Sequence, residues 1–265
     1  MQGCSACQET VRLRAVYSGA TKKEGHTVYS GLSESDSAGD GSWGTWTTGL
    51  VPPDAPGTPE PWSDLGLAPW QFLIQDQVLK FFVFGDPAYN SLSFNLNSDD
   101  LAKTHKVMNR GGAEGANPDL SFFQNRGGKL IIYSGWSDPA VSPEETIRYY
   151  NSVVQQQGGL DRTQRFARLF MAPGMQHCIG SGPGPNVFNP LTSLIDWVEK
   201  NVAPKNITAA HFHAVPLSRK SRVQGWRRKR SLQLELSSHG AVRLGGRSRE
   251  CTRCVIACFS FELAQ

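Results

Sequence analysis

The stretch Gly-Gly-Lys-Leu-Ile-Ile-Tyr-Ser-Gly at residues 127–135 decides how the rest of the chain is interpreted. It is a short apolar, partly β-branched run bounded by glycines, which is typical of a buried strand in a parallel sheet. In the residues that follow, Ser142 can cap a helix, Pro143 suits the first helical position, and Glu145 stands at the capping-box spacing. These signals predict a strand that is followed by a helix from Pro143 to about Gln156.

A second strand and a further helix complete the pattern on the C-terminal side. Residues 166–171 form another buried apolar run, which ends at Pro173 and Gly174. Residues 190–202 carry apolar side chains at helical spacing and stop before Pro204. Two strands and two helices joined in this order by short links form an α/β unit with a parallel sheet, so the predicted fold class is α/β.

The N-terminal part of the chain has a different character. Residues 8–18 have the pattern of a short helix that Gly19 can end, and residues 69–84 and 99–108 are also predicted to be helical. Between them, residues 21–67 are rich in Gly, Ser, Pro and Thr. This region carries three tryptophans, Trp43, Trp46 and Trp62. Because such side chains are rarely left in water, we predict an irregular aromatic-rich region that packs on another part of the protein.

Composition and charge exclude several classes of protein. With 39% hydrophobic residues, the 265-residue chain can bury a core, and this excludes disorder throughout. No apolar run approaches the roughly 18–20 residues of a membrane-spanning helix. The formal net charge of +4 is unevenly distributed, because residues 214–265 carry +8 and the remaining 213 residues sum to −4. The body of the protein is therefore mildly acidic, which does not favour nucleic-acid binding by that part.

Two polar residues follow the predicted strands at the positions where open α/β sheets carry their chemistry. Asp138 comes just after the first strand, and His177 comes just after the second. This is the chain order of the last two triad members in α/β-hydrolases, where the nucleophilic Ser comes earlier. In a triad the His takes a proton from the Ser, and the Asp fixes the tautomer of the His. The alternative is a loop Asp that caps the next helix and a surface His in a glycine-rich turn.

Several motifs around these two residues resemble the tannase and feruloyl esterase family. The most specific are Gly-Trp-Ser-Asp-Pro at 135–139 and Pro-Gly-Met-Gln-His-Cys at 173–178. The resemblance is carried by residues 15–19, 119–123, 127–139, 168–178, 182–188 and 196–200, and it extends from about residue 4 to about residue 212. It implies an enzyme that cleaves esters of gallic, ferulic and related aromatic acids, so the expected partner is a small aromatic ester.

The resemblance also implies a domain organisation. The fold class becomes the C-terminal part of an α/β-hydrolase sheet with an irregular, aromatic-rich lid region. Residues 1–118 are expected to form part of the lid domain, and residues 119–212 the C-terminal part of the hydrolase core. Residues 213–265 are expected to form a basic tail without regular structure. Family members are secreted, which implies a secreted or periplasmic protein, although no signal peptide is visible in this chain.

Site residues follow from the same resemblance. It implies that Asp138 and His177 are the orienting acid and the base of a serine esterase. In the family, the residue directly after the His is a Cys that forms a disulfide to the Cys preceding the nucleophilic Ser, and Cys178 occupies that place. Such a bond would tie the loop of the base to the loop of the nucleophile. Trp43 and Trp46 are candidates for lining an aromatic-acid pocket, with local packing as the alternative.

The nucleophile itself is not found in this sequence. The family carries it in a Gly-Cys-Ser-x-Gly-Gly turn between a strand and a helix, and the only superficial match here is Gly3-Cys4-Ser5. We reject that match, because no strand can precede it and Cys7 stands where the turn requires Gly. The chain is therefore expected to lack the Ser and the strands around it. Since loss of the triad Ser costs on the order of 10⁶-fold in turnover in a serine protease, we expect the chain alone to be nearly inactive.

No metal or cofactor is assigned from the sequence. The carboxylates that stand in turns are interpreted as solvated side chains, and these are Asp36, Asp40, Asp99 and Asp100. Cys4 and Cys7 form a single C-x-x-C pair, which is a weak zinc signal because no second ligand pair lies at suitable spacing.

The basic tail allows two interpretations. In the first, it is a nucleic-acid-binding extension with zinc at His239 and its three cysteines, and the chain is a non-catalytic binding protein. In the second, the tail was never selected to fold, which its abrupt change of composition favours. Independently of the tail, the strands expected to be missing around the nucleophile would leave an edge of the hydrolase sheet uncovered, and the isolated chain would then be expected to fold poorly or aggregate.

Overall fold

The structure is a computed structural model that describes residues 13–34, 41–110, 115–177 and 181–211, together with the backbone of residues 254–258. Its strands are β1 (Ala20–Thr21), β2 (Thr27–Tyr29), β3 (Lys129–Gly135), β4 (Ala167–Ala172), β5 (Val187–Phe188), β6 (Ala209–Ala210) and β7 (Cys254–Cys258). Its α-helices are α1 (residues 13–18), α2 (Trp70–Gln77), α3 (Asp99–Arg110), α4 (Ser121–Asn125), α5 (Pro143–Gln156), α6 (Leu160–Thr163) and α7 (Pro190–Lys200).

The centre of the fold is a three-stranded parallel sheet in the order β4-β3-β7. β3 pairs with β4 from Leu130 opposite Ala167 to Gly135 opposite Ala172. These strands and the helix α5 that connects them confirm the predicted α/β unit. The helix α7 is also confirmed, and Asn201, which follows its last residue, adopts a left-handed conformation with φ of 56°.

The strand β7 differs from the expectation for the basic tail. Its residues Cys254–Cys258 pair in parallel with β3, from Lys129 opposite Cys254 to Tyr133 opposite Cys258. The sequence of β7, Cys-Val-Ile-Ala-Cys, is apolar and partly β-branched, and such a segment pairs readily with an open strand. β3 is therefore the central strand of this sheet, and β4 and β7 are its edge strands within the described part of the chain. The remaining residues of the tail lie outside the described residues.

Helices cover both faces of the sheet because successive side chains of β3 point in opposite directions. On one face, Ile132 is buried with Tyr150 of α5 and Phe166. On the other, Ile131 is buried with Leu194 and Trp197 of α7. This layered arrangement explains why β3 is buried along nearly its whole length.

The predicted capping box at the start of α5 is not formed. Ser142 precedes the helix, but its side chain makes no cap hydrogen bond there and instead donates through Oγ to Gly31 O at 2.6 Å. Glu145 accepts from the backbone N–H of Ser30 and pairs with Arg148. Both side chains therefore hold the segment that follows β2, because that segment lies close enough to compete for them.

The helices predicted for the N-terminal part of the chain are present in the structure. Residues 13–18 are helical and end at Gly19, whose φ of +74° favours glycine. The helix α2 continues directly into the π-helical segment Val78–Phe84, and α3 follows where it was predicted. The rest of the predicted helix over residues 8–18 lies outside the described residues.

The aromatic-rich region contains little regular structure, as predicted. Between residues 30 and 69, the described backbone holds only single turns, Gly44–Thr48 and Leu65–Leu67. The short antiparallel pair of β1 and β2 was not predicted. The region packs on the C-terminal part through Trp46, which is buried with Ala140 and Val141.

Candidate active site

The structure brings Asp138 and His177 together at one end of the parallel sheet. The Nδ1 atom of His177 lies 3.0 Å from Oδ2 and 3.2 Å from Oδ1 of Asp138. Asp138 follows the C-terminal end of β3, and His177 follows the C-terminal end of β4. Because the two strands are parallel neighbours, both loops leave the sheet at the same end.

The carboxylate of Asp138 is fixed by its own loop. Oδ1 accepts hydrogen bonds from the backbone N–H groups of Ala140 at 2.9 Å and Val141 at 3.0 Å. The residue is 2% exposed, so water has little access to the carboxylate. These two bonds hold Asp138 in one orientation, with Oδ2 directed at the imidazole.

This geometry selects one tautomer of His177. A carboxylate only accepts hydrogen bonds, so the Nδ1 atom facing it must carry a proton. In the neutral ring the lone pair is then on Nε2. An imidazole held in this way can accept a proton at Nε2 and is stabilised by the carboxylate when it becomes positively charged.

Close approach of the two loops depends on glycine at the end of β3. A Cβ atom added to Gly135 would overlap the backbone of Met175, two residues before His177. The N–H of Ser137 donates to the carbonyl of Met175 at 3.0 Å, which ties the loops together. Gly174 turns the second loop with φ of +69°. The sequence signal for this arrangement is the glycine that ends each run.

The tryptophans proposed to line a pocket occupy different places. The Trp46 ring lies 4.8 Å from the His177 ring, measured between centroids, with an angle of 62° between the planes. Trp43 packs against Tyr17 with centroids 5.4 Å apart. Of these two tryptophans, Trp46 is therefore the one observed against the Asp138–His177 pair.

Sequence reasoning missed Gln71 as part of this site. Its Nε2 atom donates to Pro139 O at 3.0 Å and to Ala140 O at 3.2 Å, both in the loop that holds Asp138. The apolar pattern of residues 69–84 predicted the helix but not which polar side chain faces the loop. Only the packing of α2 on that loop reveals the contact.

The other residues considered in the sequence analysis are not observed at this site. Cys178, Cys4, Cys7, Asp36, Asp40, Ser5 and His239 lie outside the described residues. Asp99 and Asp100 are in the first turn of α3, where Asp100 accepts from the N–H of Asn95 at 3.0 Å. In the described ranges, no three His, Cys, Asp or Glu side chains are grouped in a way that could hold a metal ion. Each helix within those ranges is too short or too polar to span a lipid bilayer.

The fold has counterparts among solved esterases. Feruloyl esterase B from Aspergillus oryzae is similar with a TM-score of 0.55 and 23% sequence identity, over 79% of this chain and 39% of that protein. At this identity the likeness shows the fold alone. The parallel sheet, its flanking helices and this similarity define an α/β-hydrolase-like fold.

Sequence comparison identifies the family. The profile described as tannase and feruloyl esterase matches residues 2–229, and the chain therefore belongs to the tannase and feruloyl esterase family. An uncharacterized esterase of Xanthomonas campestris pv. campestris is 29% identical over 243 residues, which cover 79% of this chain and 40% of that protein. The mono(2-hydroxyethyl) terephthalate hydrolase of Piscinibacter sakaiensis is 47% identical over 91 residues, which cover 34% of this chain and 14% of that protein.

These matches confirm the family resemblance and change one boundary. The chain spans less than half the length of these two relatives. The family match extends to residue 229, beyond the end near residue 212 that the motifs suggested. The change of composition after His211 therefore does not mark the limit of similarity. The alternative of a nucleic-acid-binding protein gains no support from these relatives.

Proposed function

We propose that this chain supplies the acid and the base of a carboxylic ester hydrolase that acts through a Ser-His-Asp triad. The observation that supports the proposal is the hydrogen-bonded pair of Asp138 and His177 at the carboxyl ends of adjacent parallel strands. The alternative, a helix-capping Asp and a surface His, does not account for the contact between them. The family membership of the chain supports ester hydrolysis as the reaction.

The proposed chemistry assigns one proton-transfer role to each residue. His177 accepts the proton of the Ser hydroxyl at Nε2 while the Ser oxygen attacks the ester carbonyl, and the imidazolium then donates that proton to the departing alkoxide. Water cleaves the acyl-enzyme in a second round, in which His177 first accepts a proton from the water and then returns it to the Ser. Asp138 keeps the imidazole in the reactive tautomer throughout and stabilises its positive charge.

The nucleophile is proposed to come from sequence other than these 265 residues, which contain no Gly-x-Ser-x-Gly motif. In the same proposal, Cys178 forms a disulfide to a Cys beside that Ser, and the enzyme acts outside the cytoplasm because disulfides persist in oxidising compartments. Residues 1–118 form part of a lid, and residues 119–212 form part of the hydrolase core. Without its nucleophile, the chain is expected to be nearly inactive.

The proposed substrate class is esters of aromatic acids. Two of the similar proteins are named for a terephthalate ester and for feruloyl esters, and both names denote aromatic acyl groups. The Trp70 ring, which is 49% exposed and packs on the Trp46 ring beside His177, has surface available for such an acyl group. Which aromatic acid is cleaved depends on pocket residues that include those around the nucleophile.

The test is to express the chain from its gene together with the coding sequence that precedes it. An in-frame Gly-Cys-Ser-x-Gly-Gly segment and hydrolysis of methyl ferulate are expected. His177→Ala should abolish that hydrolysis, whereas His26→Ala, which replaces an exposed histidine, should not change it. Full activity in His177→Ala would show that another residue is the base, and absence of any upstream nucleophile segment would contradict the proposed assembly.

A further inference from the structure

We infer that Trp46 is a positioning residue, whose ring keeps the imidazole of His177 in contact with Asp138. The inference rests on the proposed esterase function for its catalytic consequence, but its structural content does not depend on turnover. It assigns the ring a role other than binding the substrate. Trp46 was a candidate for the substrate pocket on sequence grounds, and its contacts favour a different task.

The first argument is the contact itself. The ring centroids of Trp46 and His177 are 4.8 Å apart and the planes are inclined at 62°, which is within the range for favourable edge-to-face packing. A hydrogen bond from Nδ1 to Asp138 fixes one edge of the imidazole but does not by itself determine the tilt of the ring about that bond. A large side chain packed against the ring opposes such a tilt.

The second argument is burial. Trp46 is 7% exposed, so almost no part of its ring is available to stack on a substrate. Its other neighbours include the Trp70 ring, with centroids 5.1 Å apart and planes inclined at 70°. Trp70 is 49% exposed, so this second tryptophan, unlike the first, has surface available for a ligand. The burial of Trp46 therefore fits a role inside the protein.

The third argument is that Trp46 is held by the residues that orient the acid. Its ring is buried with Ala140 and Val141, and the backbone N–H groups of those two residues bind Oδ1 of Asp138. Gln71 fixes the same loop from α2 through the carbonyls of Pro139 and Ala140. The acid, the base and Trp46 thus form one packed unit, in which a shift of the tryptophan is transmitted to both others.

The consequence for catalysis is geometric. Proton transfer requires Nε2 of His177 to lie within hydrogen-bond distance of the Ser hydroxyl, and a misplacement of 1 Å can cost on the order of 100-fold in rate. Loss of the Trp46 ring should therefore lower kcat by about that factor while leaving KM nearly unchanged. A ring that bound the substrate would instead raise KM when it was removed.

The first experiment measures the position of the imidazole without any hydrolysis. In the 265-residue chain, the Nδ1 proton of His177 should give a downfield proton NMR signal that exchanges slowly with water. His177→Gln assigns this signal, which is necessary because Nδ1 of His211 is also hydrogen-bonded, to Gly184 O. Trp46→Leu and Trp46→Met should both lose the signal, Trp46→Phe should largely retain it, and Trp62→Leu serves as the control because that ring packs on Phe72.

Two non-aromatic replacements are used so that a folding failure of one, seen by circular dichroism, leaves the other to be measured. Retention of the His177 signal in a folded Trp46→Leu or Trp46→Met variant would overturn the inference. The second experiment uses the enzyme assembled with its nucleophile segment, where kcat should fall and be recovered by Trp46→Phe. A rise in KM with unchanged kcat would instead assign Trp46 to the substrate pocket. If the assembled protein hydrolyses no ester, the proposed function fails while the NMR result still decides the inference.

Discussion

Asp138 uses the two oxygens of its carboxylate for different purposes. Oδ1 accepts from the backbone of the loop that follows, and Oδ2 is the closer oxygen to Nδ1 of His177. The first set of bonds determines where the side chain points, and the second determines the tautomer of the base. A replacement that keeps the backbone hydrogen bonds and changes the contact with His177 can therefore test the tautomer of the base without altering the loop.

Asp138→Asn is the replacement that makes this separation. Asn can still accept the two backbone bonds, but an NH₂ group that faces His177 would require the lone pair on Nδ1, which places the proton on Nε2. In the assembled enzyme we expect kcat to fall by on the order of 10⁴-fold, as for the same change in a serine protease, with little change in the unfolding midpoint. Asp196→Asn, in an exposed ion pair with Lys200, is the matched control and should leave kcat unchanged. Equal kcat in the two variants would exclude the proposed role of Asp138.

At the scale of the elements, α2 and the π-helical segment Val78–Phe84 are joined by a buried ion pair. The Nζ atom of Lys80 lies 2.9 Å from Oδ2 of Asp76, and the two side chains are 9% and 8% exposed. Ser91 also donates to Oδ1 of Asp76, at 2.8 Å. Because both charges are buried, each depends on the other for stabilisation.

Lys80→Met should therefore be strongly destabilising. Methionine fills a similar volume but leaves the charge of Asp76 uncompensated, and breaking a buried pair in this way costs about 3–5 kcal/mol. Urea unfolding followed by circular dichroism measures the loss. Lys200→Met removes the cation of the exposed Asp196–Lys200 pair at the same i,i+4 spacing and should produce no measurable change. Similar decreases in the free energy of unfolding of the two variants would show that burial does not determine how much each ion pair contributes to stability.

Side chains at the start of the helix α5 contact the strand β2 and the residues that follow it. Glu145 accepts from the N–H of Ser30 and pairs with Arg148, which in turn donates to the carbonyls of Thr27 and Val28. Ser142 receives further support, since its N–H donates to the hydroxyl of Tyr29 at 2.8 Å. The helix start therefore anchors the whole strand β2.

Glu145→Ala should release that strand. The N–H of Ser30 loses its acceptor, and we expect a loss of about 1–3 kcal/mol in the free energy of unfolding. Hydrogen exchange monitored by NMR should show faster exchange of the Ser30 amide and of the β2 amides, with α7 unchanged. Glu144→Ala, at the neighbouring exposed position, is the control. Unchanged exchange at Ser30 in Glu145→Ala would mean that the contact contributes nothing.

At the scale of the whole molecule, the core around the sheet contains two tyrosines whose ionisation opposes folding. Burial raises the pKa of Tyr150, an effect that the positive charge of Arg168 partly offsets, and burial also raises the pKa of Tyr149. The hydroxyl of Tyr150 donates to Ala167 O at 3.1 Å, inside the cluster between α5 and β4. Both phenols are therefore more readily ionised in the unfolded chain than in the folded one.

This difference in tyrosine pKa between the folded and unfolded states determines how the stability of the protein changes at alkaline pH. The pKa of Tyr150 is higher in the folded protein than in the unfolded chain. Its contribution to the stability of the fold is therefore complete below the unfolded-state pKa of about 10 and is lost as pH rises through the folded-state pKa. The free energy of unfolding should therefore decrease above about pH 10. Tyr150→Phe should be less stable by about 1 kcal/mol at pH 7, since it lacks one hydrogen bond, and should show a shallower decrease at high pH. Urea titrations from pH 7 to pH 11 test this, and parallel curves for the two proteins would contradict it.

The sequence was sufficient for the elements whose formation depends on neighbouring residues. The runs at β3 and β4, the proline-led helices α5 and α7, and the order of Asp138 before His177 are all local patterns. Parallel pairing then brings the two loop ends together without further information, because both strands end on the same side. The family motifs lie in this same part of the chain, which is why the family was predictable.

Contacts between distant segments were decided only by the tertiary structure. Ser142 and Glu145 have the spacing of a capping box, yet they bind residues more than 110 positions earlier in the chain. Trp46 could not be placed against His177 from its position in an irregular region, and the pairing of β7 with β3 was not predicted from a basic tail. The sequence shows which side chains can form hydrogen bonds. Which of several possible partners each side chain binds depends on the distances that the packed fold sets between them.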